Sequence, residues 1–309
     1  MTDPKSGDVT LLAPSRDEHL LEVKDLHIEF HTRDGSAKVI NGVSYHVDPG
    51  ETLAVLGESG SGKSVTAQAI MGILDIPPGK ITGGEIRYAG QDLLKLPESE
   101  RRQVRGKEIA MIFQDALSAL NPVFSVGWEI SETLRRREGY SKADAFKRAV
   151  ELMDLVRIPG AKDRLRNYPH EFSGGMRQRV MIAMSLAMNP KILIADEPTT
   201  ALDVTVQAQV MDLLGDLRRE LNMAMILIPH DLGVVAGMAD RIVVMYAGKA
   251  VERGPVRPVY ADPRMPYTIG LLGSVPRLDR PGEPLTPIEG SPPNVARLPQ
   301  GCPFVPRCP

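Results

Sequence analysis

Two short segments hold residues whose types and order could do phosphate chemistry. The first is Gly57-Glu58-Ser59-Gly60-Ser61-Gly62-Lys63-Ser64, which fits the pattern G-x-x-x-x-G-K-S/T. Its glycines let successive backbone N–H groups turn inward around phosphate oxygens. Lys63 is then placed to reach the terminal phosphates, and Ser64 Oγ to ligate Mg²⁺. The second is Ile192-Leu193-Ile194-Ala195-Asp196-Glu197, an apolar run that ends in two carboxylates. Asp196 is placed to hold the Mg²⁺ shell. Glu197 sits where the chain turns at Pro198, so it can face a γ-phosphate and polarise a water. Taken alone, a glycine-serine turn or an acidic strand end would be ordinary. Together the segments imply a site that binds and cleaves a nucleoside triphosphate.

The surrounding elements supply the context that such a site needs. Thr52–Leu56 is a short apolar strand running into the glycine loop. Helical periodicity follows from about Ser64 to Leu74, which aims the positive end of a helix at the same anion. Upstream, Leu20–Phe30 and Val39–Val47 alternate apolar and polar residues, as half-buried strands do. Asp34-Gly35 and Pro49-Gly50 are turn signals. Residues from about Glu98 to Asn189 read as mostly helical, with breaks at Asn121-Pro122 and Tyr168-Pro169. Lys191–Ala195, Met223–Ile228 and Ile242–Met245 read as buried strands of a parallel sheet. Between the first two, Val210, Leu214, Leu217 and Leu221 line one helix face. The pattern predicts an α/β fold with an antiparallel β subdomain and a helical subdomain inserted in the core.

Composition bounds the rest. The chain has 309 residues, 42% hydrophobic and 25% charged. That excludes disorder throughout, collagen and a long coiled coil. Thirty-seven basic against 39 acidic residues give a formal charge of −2, so there is no overall basic excess for nucleic acid. Arg135-Arg136-Arg137 reads as a solvated helix face. The apolar runs Met223–Ile228 and Met181–Met188 are far shorter than the roughly 18 residues of a membrane-spanning helix. Met1–Asp17 contains no apolar segment long enough for a signal peptide, so membrane association is expected through a partner. Both cysteines, Cys302 and Cys308, lie in the last eight residues. This excludes a disulfide scaffold and suits a reducing compartment. Of 26 prolines, 14 fall after Gly254. The expected organisation is a flexible lead-in over 1–19, a nucleotide-binding domain over 20–255 with its helical part at about 98–189, and a Pro-rich extension over 256–309.

Ser173-Gly174-Gly175-Met176-Arg177-Gln178-Arg179 narrows the class. It resembles the signature motif of the ABC ATPase family, and further motifs agree in order. Gln114 in Phe113-Gln114-Asp115 is similar to the Q-loop. Ala201-Leu202-Asp203 is similar to the D-loop, and His230 in Pro229-His230-Asp231 to the switch histidine. The resemblance covers about residues 20–255 and implies the ABC ATPase version of the P-loop NTPase fold. It also implies a head-to-tail dimer in which Ser173 and Gly175 of one subunit bind the γ-phosphate held by the other, with Gly174 between them in the same nucleotide site. A serine and two glycines opening a helix are chemically suited to that anion.

By the same resemblance, Gly57, Glu58, Ser59, Gly60, Ser61, Gly62, Lys63, Ser64 and Val65 hold ATP, with Gln114, Asp196 and Asp203. Mg²⁺ falls to Ser64, Gln114 and Asp196, and catalysis to Lys63, Gln114, Glu197 and His230. Phe30 lies where the family stacks an aromatic on adenine. His31 and Tyr45 are rivals, and a core phenylalanine is an equal reading. Two departures stand out. Phe172 and Met176 end the signature where Leu and Gln are commoner, and Pro229 replaces the usual Thr before the switch histidine. Proline removes an N–H and restricts Ile228, which could alter how His230 is presented; ATP hydrolysis is expected to persist.

Finer details resemble the branch of dipeptide and oligopeptide permease ATPases. They are Leu120-Asn121-Pro122-Val123, Tyr168-Pro169-His170-Glu171, Pro266-Tyr267-Thr268 with Leu271-Leu272, and the tail Gly301-Cys302-Pro303-Phe304-Val305-Pro306-Arg307-Cys308-Pro309. The resemblance implies an ATP-hydrolysing subunit of a peptide importer, peripheral on the cytoplasmic face of the cell membrane. Its implied partners are a second, identical or homologous ATPase, two transmembrane permease subunits and, indirectly, a substrate-binding protein, with no nucleic acid. The tail would be a small domain adding dimer contacts, or else a disordered linker. An iron–sulfur cluster has been proposed for that branch, but Cys302 and Cys308 supply two of four thiolates. Half a metal site and two free thiols both stay open. Import of nickel or another small solute is the alternative within the branch. A soluble ABC ATPase of DNA repair or translation is the alternative outside it.

Overall fold

The computed structural model describes residues 18–32, 35–115, 119–200, 202–274 and 287–309. Two sheets form its frame. The first is antiparallel, in the order β2-β1-β4-β5, with β1 at Leu21–Thr32, β2 at Gly35–Val47, β4 at Gly79–Tyr88 and β5 at Gln91–Asp92. The second has the order β10-β9-β3-β8-β7-β6. It comprises β3 (Thr52–Leu56), β6 (Ile109–Ile112), β7 (Ile192–Asp196), β8 (Ala224–Ile228), β9 (Arg241–Tyr246) and β10 (Lys249–Pro255). Its strands run parallel except β10, which pairs antiparallel to β9.

Each inner strand of the second sheet is buried on both faces, as its unbroken apolar run requires. Alternation sorts the side chains between cores. Ile192 and Ile194 of β7 join the core beneath the antiparallel sheet. Leu193 and Ala195 join the core of the helices. That helical core is built from α3 (Val126–Glu138), α4 (Lys142–Leu155), α5 (Ala161–Arg164) and α6 (Gly174–Ser185). Ser141 starts α4 by accepting from the Asp144 N–H at 3.1 Å, which satisfies one of the free donors of the first turn. Helix α7 (Val204–Glu220) buries Val210, Leu214 and Leu217 against the same core.

Strand β3 and helix α1 (Lys63–Met71) match the expected elements. The stretch 98–189 is less uniform than expected. It opens with α2 (Glu98–Val104) and then holds β6, which pairs with β7 in the main sheet. Four consecutive buried residues, Ile109-Ala110-Met111-Ile112, show no period that separates a strand from a helix turn. Strand β4 was not legible either, because Gly83 and Gly84 interrupt it. Gly84 has φ +90, and a Cβ there would lie 2.3 Å from the Asp25 carbonyl oxygen.

Most of the expected lead-in, like Asp34 of the first turn and Ala201 of the D-loop, lies outside the described residues. His19, however, is fixed. It stacks on His46 at 3.6 Å, and its Nδ1 lies 2.6 Å from Asp48 Oδ1. In the Pro-rich extension, α9 (Val256–Ala261), α10 (Pro266–Gly273) and the segment around Phe304 pack with β9 and α8 (Val235–Met238) to form a third core. Tyr267 and Phe304 are buried there. Burying large apolar side chains is worth roughly 1.5–3 kcal/mol each, enough to anchor the segment.

Candidate functional site

Strands β3, β6, β7 and β8 all end at one edge of the sheet, and the expected site residues follow those ends. Open parallel sheets offer their binding crevice at that edge. After β3, Gly57 has φ +146, and a Cβ would fall 2.2 Å from the Met245 carbonyl oxygen. No other residue fits this close approach. Gly62, with φ +103, caps α1. Lys63 Nζ donates to the carbonyls of Gly57 at 2.7 Å and Glu58 at 3.0 Å, folding the loop around its own ammonium. Burial pushes the Lys63 pKa down, opposed by Glu197, Asp196 and Glu58.

After β7, Asp196 Oδ1 accepts from Ser64 Oγ at 3.0 Å. Burial raises the Asp196 carboxyl pKa, and the Ser64 hydrogen bond offsets part of that rise. Glu197 takes a left-handed backbone, φ 46, and its N–H donates to the Ile228 carbonyl at 2.8 Å. Its Oε2 accepts from Gln114 Nε2 at 2.7 Å and from Thr200 Oγ1 at 3.0 Å. Lys63, Glu197 and His230 line a cleft of about 550 Å³ with Gly57, Glu58, Ser59 and Pro229. Gln207, Asp231, Leu232, Leu271 and Ser274 complete it.

Other expected residues stand apart. Ser173, Gly174, Gly175 and Asp203 do not line this cleft. Ser173 caps α6, its Oγ accepting from the Met176 N–H at 3.4 Å. Gly175 faces α7, where a Cβ would lie 2.5 Å from Val206 Cγ1. Asp203 caps α7 by accepting from the Val206 N–H at 2.9 Å. The signature and the D-loop thus meet at Val206. Phe30 is half-buried and packs on the core under the antiparallel sheet, away from the cleft lining. Tyr45 is buried in that core, and His31 is exposed.

The residues present fit a magnesium nucleotide. Ser61 Oγ is buried in the loop without a hydrogen-bond partner among the described residues. Among the described residues, the Lys63 ammonium donates to carbonyl oxygens only. Ser64 and Asp196 bring together the hydroxyl and carboxylate oxygens that suit a hard cation. Cys302 and Cys308 are exposed free thiols. Two thiols do not fill a four-thiolate cluster.

Four contributors were not expected at the site. Thr200 holds the Glu197 carboxylate. Gln207 Nε2 donates to the carbonyls of Thr199 at 3.2 Å and Leu202 at 3.1 Å, bracing the D-loop. Tyr267 and Arg307 both bind Glu58, and the long sequence separation hides such a pairing.

A phosphate loop after an inner parallel strand, a carboxylate pair after a neighbouring strand and a helical lobe define a P-loop ATPase cassette. Residues 40–200 match the family described as ABC transporter, and residues 251–309 match the oligopeptide/dipeptide transporter C-terminal region. The chain belongs to the ABC transporter family. It is 57% identical over 286 residues to the oligopeptide transport ATP-binding protein OppD of Bacillus subtilis, covering 92% of this chain and 80% of that protein. The protein of that name from Escherichia coli is 54% identical, covering 96% of this chain and 88% of its own. The dipeptide transport ATP-binding protein DppD of Bacillus subtilis is 52% identical, with 94% and 87% covered. Among solved structures, the dimeric post-hydrolysis state of the ATP-binding cassette MJ0796 bound to ADP and Pi is similar. It has a TM-score of 0.68 at 28% identity, covering 77% of this chain and 99% of that one.

Proposed function

We propose that this chain is the ATP-hydrolysing subunit of an importer of di- and oligopeptides. The observation that carries the reading is a cleft holding Lys63, Glu197 and His230, closed on one side by a C-terminal segment of the peptide-transporter type. Lys63 and the glycine-loop amides bind the phosphates of ATP. Ser64 and Asp196 would hold Mg²⁺, whose charge supports the β- and γ-phosphates. Glu197 accepts the proton of the attacking water, while Gln114 and Thr200 fix its carboxylate. His230, at the cleft wall, holds the γ-phosphate side.

Ser173, Gly174, Gly175 and Asp203 serve the nucleotide of a second ATPase subunit, because they do not face the cleft of their own chain. Among the described residues no phenylalanine, tyrosine or tryptophan lines the cleft; Phe30, the residue proposed for the adenine, lies outside that lining. No helix among the described residues is long and apolar enough to cross a membrane. A groove of about 620 Å³ on the helical lobe offers the contact for a membrane subunit. Trp128, Phe146 and Leu165 line it together with Glu132, Arg135, Lys142 and Arg166. Aromatic residues and arginine are enriched at docking sites. The chain works in this reading at the cytoplasmic face of the membrane, with two permease subunits.

Reconstitution of the chain with its co-purifying membrane subunits and binding protein in vesicles tests this. ATP-dependent uptake of labelled oligopeptide is expected. Uptake of nickel with no uptake of peptide overturns the substrate class.

A further inference from the structure

We propose that Arg307 is a positioning residue for the phosphate-binding loop, holding the Glu58 carboxylate in a two-point ion pair and thereby setting the affinity for ATP. The inference rests on the reading that the cleft binds ATP.

Glu58, the second residue of the loop, is gripped at three places. Its N–H donates to Tyr267 Oη at 2.8 Å. Its carbonyl accepts from Lys63 Nζ at 3.0 Å. Its carboxylate accepts from Arg307 Nη1 at 2.7 Å and Nη2 at 3.0 Å. Two of the three tethers come from the C-terminal extension, and only Lys63 comes from the loop itself. Parallel two-point pairing of this kind is directional as well as strong.

The Arg307 side chain sits in a built socket, only 5% exposed. Its Nε donates to the Glu289 carbonyl at 2.9 Å, and Nη2 to the carbonyls of Ile288 and Gly290 at 3.4 Å. Nη1 also reaches Tyr246 Oη at 3.4 Å. The guanidinium lies 6.0 Å from the Tyr246 ring centre. Tyr246, Tyr267 and Phe304 pack against one another with ring centres 4.4 to 5.4 Å apart. The end of β9, helix α10 and the chain's last residues therefore form one wedge under the loop.

Charge gives the wedge its consequence. Glu58 belongs to the loop that lines the cleft, and its charge acts on Lys63. A free carboxylate there repels the nucleotide and competes for Lys63. Paired with Arg307, it is neutralised and turned aside. Pairing with Glu58 also drives the Arg307 pKa further up.

The test uses the full-length chain, with Mg-ATP as the probe. Arg307→Ala is expected to raise the Kd about tenfold, the scale of one lost charge-assisted contact. Adding Glu58→Gln removes the stranded charge and is expected to restore the Kd to within about threefold of the parent, since coupled residues do not add. Loss of support alone would not be rescued in this way. Without nucleotide, the amides of residues 57–62 are expected to exchange hydrogen faster in Arg307→Ala and in Tyr267→Phe. Arg307→Lys and Arg307→Gln serve if the alanine variant does not fold. Parent-like Kd in folded Arg307 variants overturns the proposal, as does a double variant that binds as weakly as Arg307→Ala. If the parent chain binds no Mg-ATP, the functional reading falls, and the exchange rates of the loop decide the clamp.

Discussion

Gln114 and Glu197 join two strand ends: the Gln114 amide donates to the Glu197 carboxylate at 2.7 Å. One residue follows β6 and the other follows β7, so the bond bridges adjacent strands of the parallel sheet. It orients the carboxylate while leaving it on the wall of the cleft with Lys63. A change at either strand end is therefore felt by the carboxylate proposed to activate water.

Glu197→Gln keeps the shape and loses the base. ATP binding is expected to survive, while hydrolysis falls about 10²–10⁴-fold, the usual weight of general-base catalysis. Phosphate release and equilibrium ATP binding, measured on the same preparation, check both halves. Hydrolysis at the parent rate would remove Glu197 from the role.

Asp196 stores instability for function. Burial raises its pKa, so folding favours its protonated form. The sign follows from linkage: its contribution to stability is greatest below the unfolded carboxylate pKa of about 4 and is lost as pH rises through the higher folded value. At neutral pH the buried charge costs stability. Asp196→Asn is expected to raise Tm in Mg-free buffer at pH 7–8 by a few degrees, at about 2–4 °C per kcal/mol for large domains. The gain should shrink as pH falls toward 4, and Mg-ATP binding should be lost. Melting curves across that range decide it.

The loop glycines should differ in cost. At Gly57 a Cβ collides with backbone, 2.2 Å from the Met245 oxygen, whereas at Gly60, φ +78, nothing lies within 4 Å. Gly60→Ala is expected to cost only the left-handed backbone strain, about 1 kcal/mol. Gly57→Ala must move β9 or the loop, and is expected to abolish ATP binding. Binding and melting measurements on the pair test the contrast, and equal behaviour would refute it.

Legibility followed the range of each signal. The phosphate loop, β3, α1, β7 and β8 were readable because pattern, turn and function coincide within a few residues. Bonds such as Ser64 to Asp196 could be anticipated, since both ends belong to known motifs. What stayed hidden depends on approach between distant segments. Strand β6 is too short to show a period, and β4 bends at glycines that fit only against Asp25. Thr200 acts through one hydrogen bond and Gln207 through two, and neither leaves a pattern. Phe30 was ambiguous from sequence and packs here as a core residue does.

The groove on the helical lobe gives a fourth prediction. Trp128 and Phe146 are 41% and 39% exposed, and exposed aromatics that line a groove act as binding anchors. Phe146→Glu is expected to leave ATP binding by the isolated chain unchanged and to lower recovery with the membrane subunits tenfold or more, roughly one hot-spot residue. Co-purification from detergent-solubilised membranes gives the readout. Undiminished recovery would place the permease contact elsewhere.

The clamp on Glu58 also sets an order of events in the making of the protein. Glu58 and Arg307 are separated by 249 positions. At about 5–20 residues per second, synthesis reaches the arginine roughly 10–50 s after the glutamate. Through that interval the growing chain carries its phosphate loop with the ion pair unmade. The loop thus takes its final form only when the turn that carries Arg307 has docked.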